Sequence, residues 1–245
     1  MKIFKKYAEL YDLLNKDKDY EGEARQISKT LQKYGIINGA SVLNLGCGTG
    51  KHDHILAKMG YEMTGVDMSQ EMVDIALNPL VKGGVGDSHF LQGDIRSIDL
   101  NKKFDAVISM FHVMSYQNTN EDVEAGFKTA FNHLVEGGVF LFDCWYGPAV
   151  LSEKPENRER IVENDELKVV RIATPELKEK ENIVVVNYDF KVIEKDKGET
   201  IEFSEKHNMR YFFIPEIKFF MKNCGFDVIS VESNGWNLEV VGKKV

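Results

Sequence analysis

The sequence predicts an α/β fold: a Rossmann-like, doubly wound, seven-stranded and mostly parallel sheet, with an antiparallel β cap inserted after the fifth strand. Three observations indicate this fold. Residues 42–50 combine a short apolar strand with three glycines at alternate positions. Residues 40–147 alternate between strand-like and helix-like patterns, which is typical of a parallel sheet. Residues 149–212 then alternate apolar with polar residues, which favours antiparallel strands.

Two amphipathic helices are predicted ahead of the sheet, at Tyr7 to Leu14 and Tyr20 to Tyr34. Strand one then runs into Gly46, Gly48 and Gly50, followed by a helix over residues 51–59 that stops at Gly60. Strand two covers residues 61–66 and ends at Asp67. This order brings a glycine turn and a carboxylate to the same edge of the sheet.

The next elements continue the alternation. Ser69 is a predicted cap for a helix from Gln70 to Leu77, and Pro79 with the glycines at 83, 84 and 86 closes that stretch. The later elements are strands at residues 90–95, 104–110 and 139–142 and a helix at 121–134, with Gly137-Gly138 as the turn into strand five.

Three β-type runs are predicted in the cap, at residues 160–174, 182–195 and 199–213. A helix at 215–223 and strands at 226–232 and 238–241 then complete the sheet. The predicted units are residues 1–148 for the helices and ligand-binding core, 149–212 for the cap, and 213–245 for the closing elements.

The spacing of the glycines restricts the classes of ligand that the turn is expected to bind. Nicotinamide dehydrogenases use G-x-G-x-x-G, whereas this chain has G-x-G-x-G, with Lys51 where the third dehydrogenase glycine would fall. A pyrophosphate is therefore not the expected ligand. Asp67, 21 residues after Gly46, ends the second strand, where a carboxylate can accept both ribose hydroxyls.

Residues 42–50, Asp67 and the strand that leads to Asp94 and Ile95 resemble the class I S-adenosylmethionine-dependent methyltransferases. The resemblance implies that the turn holds the amino-acid end of S-adenosylmethionine, that Asp67 holds its ribose, and that Asp94 and Ile95 bind its adenine. The family usually has an acid at Asn44, so the resemblance implies weaker cofactor binding or a compensating acid elsewhere. The predicted cofactor-binding residues are Tyr20, Gly46, Cys47, Gly48, Gly50, Asp67, Met68, Asp94, Ile95 and Met110.

A narrower resemblance, over most of the chain, is to the N,N-dimethyltransferases of dTDP-aminosugar biosynthesis. It rests on Tyr11-Asp12-Leu13, Lys18-Asp19-Tyr20, residues 104–111 with Tyr116, and Trp145 with Pro148. A weaker similarity is to glycine N-methyltransferases. The sugar enzymes also carry a β-meander cap after strand five. Their resemblance implies an amine as methyl acceptor and an N-terminal helical segment over the mouth of the cofactor pocket.

Three side chains are candidate catalytic groups: His112, just past strand four, Tyr11 in the N-terminal segment, and His207 in the cap. An amine must be neutral to attack a methyl group, whereas an alcohol needs a base. For His112, the roles of base, amine orienter and pocket wall all remain open. The candidate substrate-binding residues are Tyr116, Trp145, Tyr146 and Arg210, although aromatic packing or solvated strand positions would also explain them.

A diphosphate on the substrate would suit the basic residues of the cap, which are Arg158, Arg160, Lys168 and Arg171. The favoured function is therefore methylation of an amino group on a nucleotide-linked sugar, a small-molecule substrate. Two alternatives remain. One is O-methylation of a sugar or small metabolite, and the other is a noncatalytic domain that binds S-adenosylmethionine.

Composition restricts partners and compartment. The net charge of −8 argues against a nucleic-acid binder, which normally carries a basic face. Three widely spaced cysteines favour a reduced cytoplasmic setting, and no apolar run approaches the roughly 18 residues that cross a membrane. No metal site is expected, and a homodimer is compatible with the sequence.

Overall fold

A seven-stranded sheet forms the centre of the computed structural model, which describes residues 10–78 and 88–245. The strands of the described residues are β1 Ser41–Leu45, β2 Glu62–Asp67, β3 Ser88–Gln92, β4 Phe104–Ser109, β5 Leu134–Tyr146, β6 Arg158–Glu163, β7 Leu167–Lys178, β8 Ile183–Glu194, β9 Glu199–Phe212, β10 Phe226–Asn234 and β11 Asn237–Lys244. The central order is β3-β2-β1-β4-β5-β11-β10, in which β11 alone runs opposite to the other six strands. The predicted α/β class and mostly parallel sheet are confirmed.

Helices cover both faces of this sheet. They are α1 Tyr20–Lys33, α2 Lys51–Lys58, α3 Gln70–Ala76, α4 Asn120–Asn132, α5 Gly147–Glu153 and α6 Ile214–Asn223. Leu43 and Leu45 pack with α4 and α6 on one face, whereas Val42 packs with α1 and α2 on the other. Successive strand residues point to opposite faces, so an apolar β1 can serve two cores.

Most predicted boundaries lie within two residues of those observed. Ser69 caps α3, since its hydroxyl accepts from the amide of Met72. Residues 10–14 are helical, whereas the start of the predicted first helix lies outside the described residues. The predicted close of the α3 stretch at Pro79 and the glycines at 83, 84 and 86 also lies outside them.

Strand β5 corrects the prediction of a turn at Gly137-Gly138. Both glycines lie within the 13-residue strand, which starts at Leu134. The register with β4 jumps here, from the pair Phe104–Leu134 to the pair Ala106–Val139, and Gly137 has a φ of +76°. The glycines therefore accommodate an irregularity in the ladder, as glycine does at bulges, instead of ending a loop.

The cap has four strands, β6 to β9, instead of the predicted three. The expected run at 160–174 is a hairpin, because the side chain of Asn164 accepts from the amides of Glu166 and Leu167 and turns the chain. The end of β9 pairs in parallel with the end of β5, through Trp145 with Tyr211. The cap sheet is therefore hydrogen-bonded to the central sheet. No helix among the described residues is long and apolar enough to cross a membrane.

Candidate active site

The three glycines of the turn after β1 all have positive φ, at +86°, +57° and +70°. A Cβ on Gly46 would lie 2.5 Å from Val113, and one on Gly50 would lie 2.7 Å from Phe90. Among the described residues, no heavy atom would lie within 4 Å of a Cβ on Gly48. Gly46 and Gly50 are thus required by packing, whereas Gly48 borders open space where a ligand can approach the backbone.

Asp67, at the end of β2, faces the same turn. One carboxylate oxygen accepts from the amide of Gly48 at 2.8 Å, and the other accepts from the amide of Ser69 at 2.9 Å. Burial raises the pKa of Asp67, and the amide bonds oppose that rise. Each oxygen keeps a further lone pair, so the carboxylate can still accept ribose hydroxyls.

The predicted adenine residues lie just beyond β3. The backbone joins them to β2, because the amide of Gly93 donates to the carbonyl of Asp67. Asp94 accepts a hydrogen bond from the guanidinium of Arg96 at 2.6 Å, and this bond lowers the pKa of Asp94. Ile95 is buried in the core, and Met68 is 59% exposed with its carbonyl bonded to Gln92.

A buried acid that the sequence did not reveal lies beside Asn44. The Asn44 amide donates to Asp53 at 2.8 Å, and Asp53 is fully buried on α2. Burial raises the pKa of Asp53 to about 7. One oxygen of each side chain has no partner among the described residues. The structure thus provides an acid next to Asn44 on the helix instead of the strand, and the unpaired acceptors suit the ammonium of an amino acid.

The N-terminal segment contacts the glycine turn. Asp12 accepts from the Thr49 hydroxyl at 3.2 Å and pairs with Lys51 at 3.0 Å. Burial, followed by the charges of Asp12, Asp67 and Glu23, raises the pKa of Tyr11. The hydroxyl of Tyr20 is buried without a partner among the described residues. Together with the open space at Gly48, this polar atom fits a bound S-adenosylmethionine.

The residues after β4 adopt an unusual backbone. Phe111 and His112 have φ of +65° and +63°, a conformation that costs non-glycine residues energy and is concentrated at functional sites. The His112 amide donates to Asp143 at 2.6 Å. Its Nδ1 atom is buried without a hydrogen-bond partner in the described chain, and burial lowers the pKa of His112 to about 4. Met110 is buried among the side chains of the α1 and α2 core.

Two pairs of predicted site residues, Trp145 with Tyr146 and His207 with Arg210, point to opposite faces of their strands. Trp145 lies 6.2 Å from His112 between ring centres, whereas Tyr146, on the opposite face of β5, packs on the core. His207 lies 2.8 Å from the hydroxyl of Tyr116. Arg210, three residues along β9, faces the other way and is buried. The expectation that His207 and Arg210 both face the pocket is wrong, because residues an odd number apart in a strand point to opposite faces.

Arg210 instead joins β9 to two helices. Its guanidinium donates to Asn120 on α4 and to Glu216 on α6. These contacts give Arg210 a structural role, because they hold the last strand of the cap against the core.

The cap's inner face is the one that packs on residues 10–14, through Val162, Val169 and Phe190. Arg160 pairs with Arg171 across β6 and β7, and Arg158 lies two residues before Arg160 on the same face. Arg171 lies 4.9 Å from the ring centre of Tyr188, with its Nε buried and unpaired among the described residues. Lys168 points to the outer face. The expectation that Lys168 acts with the arginines is therefore wrong.

Comparisons of the sequence and of the structure with known proteins identify the same family. A sequence model described as a methyltransferase domain matches residues 42–138. The chain is 30% identical to the methyltransferase candidate YqeM of Bacillus subtilis, over 95% of this chain and 90% of that one. It is 29% identical to the dTDP-3-amino-3,4,6-trideoxy-alpha-D-glucopyranose N,N-dimethyltransferase of Streptomyces venezuelae, over 92% of each. The crystal structure of Streptomyces venezuelae DesVI superposes with a TM-score of 0.83 at 28% identity, over 98% of each chain.

Proposed function

Because the chain belongs to the S-adenosylmethionine-dependent methyltransferases, we propose that it transfers a methyl group to the amino group of a nucleotide-linked sugar. When bound, S-adenosylmethionine supplies an electrophilic sulfonium methyl that a neutral amine attacks readily. The protein's contribution is to hold the two reactants together, which lowers the entropic cost of the reaction. The compartment proposed is the cytoplasm, which the three buried, unbridged cysteines support. The homodimer stays a prediction.

The environment of His112 supports an amine, and not an alcohol, as the methyl acceptor. With a pKa of about 4, the imidazole is neutral near pH 7 and is a weak base. An efficient catalytic base has a pKa near the working pH, so His112 is poorly suited to deprotonate an alcohol. Its Nδ1 atom, which has no hydrogen-bond partner among the described residues, can instead accept a hydrogen bond from an amine and orient the nitrogen lone pair.

Product analysis tests this proposal directly. The protein is incubated with S-adenosylmethionine and a panel of nucleotide-linked sugars that carry either an amino or a hydroxyl group at the same carbon. We expect mass spectrometry to detect methylated product from the amino sugars alone. Methylation of the hydroxyl sugars at a comparable rate would instead support the O-methyltransferase alternative.

Replacement of His112 by asparagine is expected to reduce amine methylation by less than about tenfold. Asparagine tolerates the left-handed backbone of this position and keeps a hydrogen-bond acceptor. A base in an O-methyltransferase would contribute on the order of a hundredfold or more. Single-turnover rates measure the difference, and a loss of that larger size with amino sugars would contradict the role of an orienting group.

The nucleotide part of the proposal is supported by two observations. The relative from Streptomyces venezuelae is named for a dTDP-linked aminosugar. In this chain, Arg158, Arg160 and Arg171 share the inner face of the cap, and the buried Nε donor of Arg171 has no partner in the part of the chain that the structure describes. Guanidinium groups bind phosphate oxygens through strong charge-assisted hydrogen bonds. The arginines are therefore the proposed diphosphate subsite.

Arg171→Ala is expected to raise KM for a nucleotide-linked sugar about ten- to a hundredfold, since a charge-assisted hydrogen bond contributes about 1.5–3 kcal/mol. KM for the free aminosugar should stay unchanged. The matched control is Lys168→Ala, which removes a cation from the outer face of the same strand. An equal effect of both substitutions on KM would show that general charge, and not this subsite, attracts the substrate.

A further inference from the structure

Three side chains form a hydrogen-bonded chain from the 3-10 turn Val113–Tyr116 to the cap's inner face. The Tyr116 hydroxyl lies 2.8 Å from Nδ1 of His207, and Nε2 of His207 lies 3.1 Å from Oε2 of Glu205. A carboxylate can only accept, so Nε2 carries the proton of the neutral ring. Nδ1 then accepts from the Tyr116 hydroxyl. Proton donation therefore has one direction, from tyrosine to histidine to glutamate.

The two ends of this chain differ in accessibility. The side chain of Glu205 is 11% exposed and that of His207 is 17% exposed, whereas Tyr116 is 45% exposed. Loss of hydration nevertheless raises the pKa of Tyr116. Because Tyr116 belongs to the core and its partner His207 to the cap, this accessible side chain lies in the cleft where the core meets the cap. The Tyr116 hydroxyl is therefore the end that a substrate can reach.

The cleft is bordered by groups from both the cap and the core. Tyr188 of β8 lies 5.1 Å from the His207 ring, and Arg171 of β7 covers Tyr188. On the core side, the 3-10 turn that ends in Tyr116 packs against the glycine turn, since Val113 would lie 2.5 Å from a Cβ on Gly46. Tyr116 thus lies between the glycine turn assigned to the cofactor and the arginines assigned to the substrate diphosphate.

We propose that the Tyr116–His207–Glu205 chain takes the proton from the acceptor's ammonium group, with Tyr116 touching the substrate and the other two acting through it. The proposal rests on the amine-methylating function given above. One proton passes from the substrate nitrogen to the Tyr116 oxygen, while the phenol's own proton passes to Nδ1 of His207. The substrate becomes a neutral amine with a free lone pair, and His207 becomes an imidazolium paired with the Glu205 carboxylate.

This assignment divides the chemistry between two histidines. Aliphatic amines are largely protonated near pH 7, and an ammonium has no lone pair to attack a methyl group. His112 is a weak base, and no carboxylate of residues 10–78 or 88–245 lies within hydrogen-bond distance of its Nδ1 atom, since Asp143 is 3.7 Å away. Glu205 gives His207 the partner that stabilises a received proton, and its second oxygen is buried without a partner in the described chain.

Kinetics of two variants test the assignment. Tyr116→Phe and Glu205→Gln are each expected to lower kcat for an aminosugar by about a hundredfold, within the range of proton-transfer catalysis, with KM changed less than about threefold. The matched control is Glu202→Gln, which alters an exposed acid of the same strand paired with Lys191. Wild-type kcat in either test variant would overturn the proposal. So would a loss confined to KM.

Nitrogen NMR of the His207 ring gives a readout that needs no substrate. In mildly alkaline buffer, we expect the wild-type ring to carry its proton on Nε2 and to lose this preference in Glu205→Gln, since an amide can donate as well as accept. A ring protonated on Nδ1 in the wild type would overturn the chain. If no amino sugar is methylated by the wild type, the proposed function itself fails, whatever the NMR result.

Discussion

Asp67→Ala is expected to weaken S-adenosylmethionine binding by about a thousandfold. The carboxylate is the proposed acceptor for two ribose hydroxyls, and hydrogen bonds to a charged group contribute about 1.5–3 kcal/mol each. The same substitution leaves the amides of Gly48 and Ser69 without their acceptor, so the turn itself is expected to loosen. Isothermal titration calorimetry measures the affinity, and thermal unfolding measures the cost to the fold.

Asp105→Ala is the matched control. Asp105 also accepts two hydrogen bonds, at 2.8 Å each from the amide and the hydroxyl of Ser41, but at the opposite end of the central strands. We expect a similar fall in melting temperature from both substitutions and a loss of affinity only from Asp67→Ala. Equal affinities in the two variants would contradict the role assigned to Asp67.

Gly48→Ala is expected to reduce cofactor affinity about ten- to a hundredfold while the protein stays folded. The added methyl group enters the open space beside the turn, where the cofactor is proposed to meet the backbone. Overpacking at a close contact costs about 1–3 kcal/mol, which corresponds to that loss. The left-handed backbone adds roughly 1–2 kcal/mol of strain, which a domain stable by about 5–15 kcal/mol tolerates.

Gly35→Ala separates backbone strain from ligand contact. Gly35 has a φ of +87°, and a Cβ there would meet no heavy atom of the described residues within 4 Å, so both substitutions place an alanine in left-handed backbone without a clash. We expect similar melting temperatures and an affinity that falls only for Gly48→Ala. Wild-type affinity in Gly48→Ala would mean that the cofactor does not approach this part of the turn.

The sequence predicted the central sheet because the relevant signals are local. Apolar runs, a cap such as Ser69 and glycines with positive φ depend on a few neighbouring residues. The sequence predicted three cap strands instead of four because the alternating pattern continues through Asn164. The side-chain hydrogen bonds of Asn164 nevertheless turn the chain at this point. The strand through Gly137 was read as a turn because glycine fits both turns and bulges.

Partners distant in sequence could not be predicted in the same way. Asp53 is nine residues from Asn44, and nothing in a helical pattern shows that this acid faces the strand beside it. Glu205 and Tyr116 are joined through His207 only because β9 passes over the turn after β4. An acid in the first turn of the helix after the glycines is the one signal that could have indicated Asp53.

The sequence by itself determined the order of elements, the glycine turn and the acids at the strand ends, because backbone preference and hydrophobic period are properties of short segments. Only the tertiary structure decided which cap residues face the cleft. Alternation separates His207 from Arg210 and Arg171 from Lys168, but it does not say which member of each pair points inward. Packing of the cap against residues 10–14 makes that choice, because the apolar face of the cap must be buried.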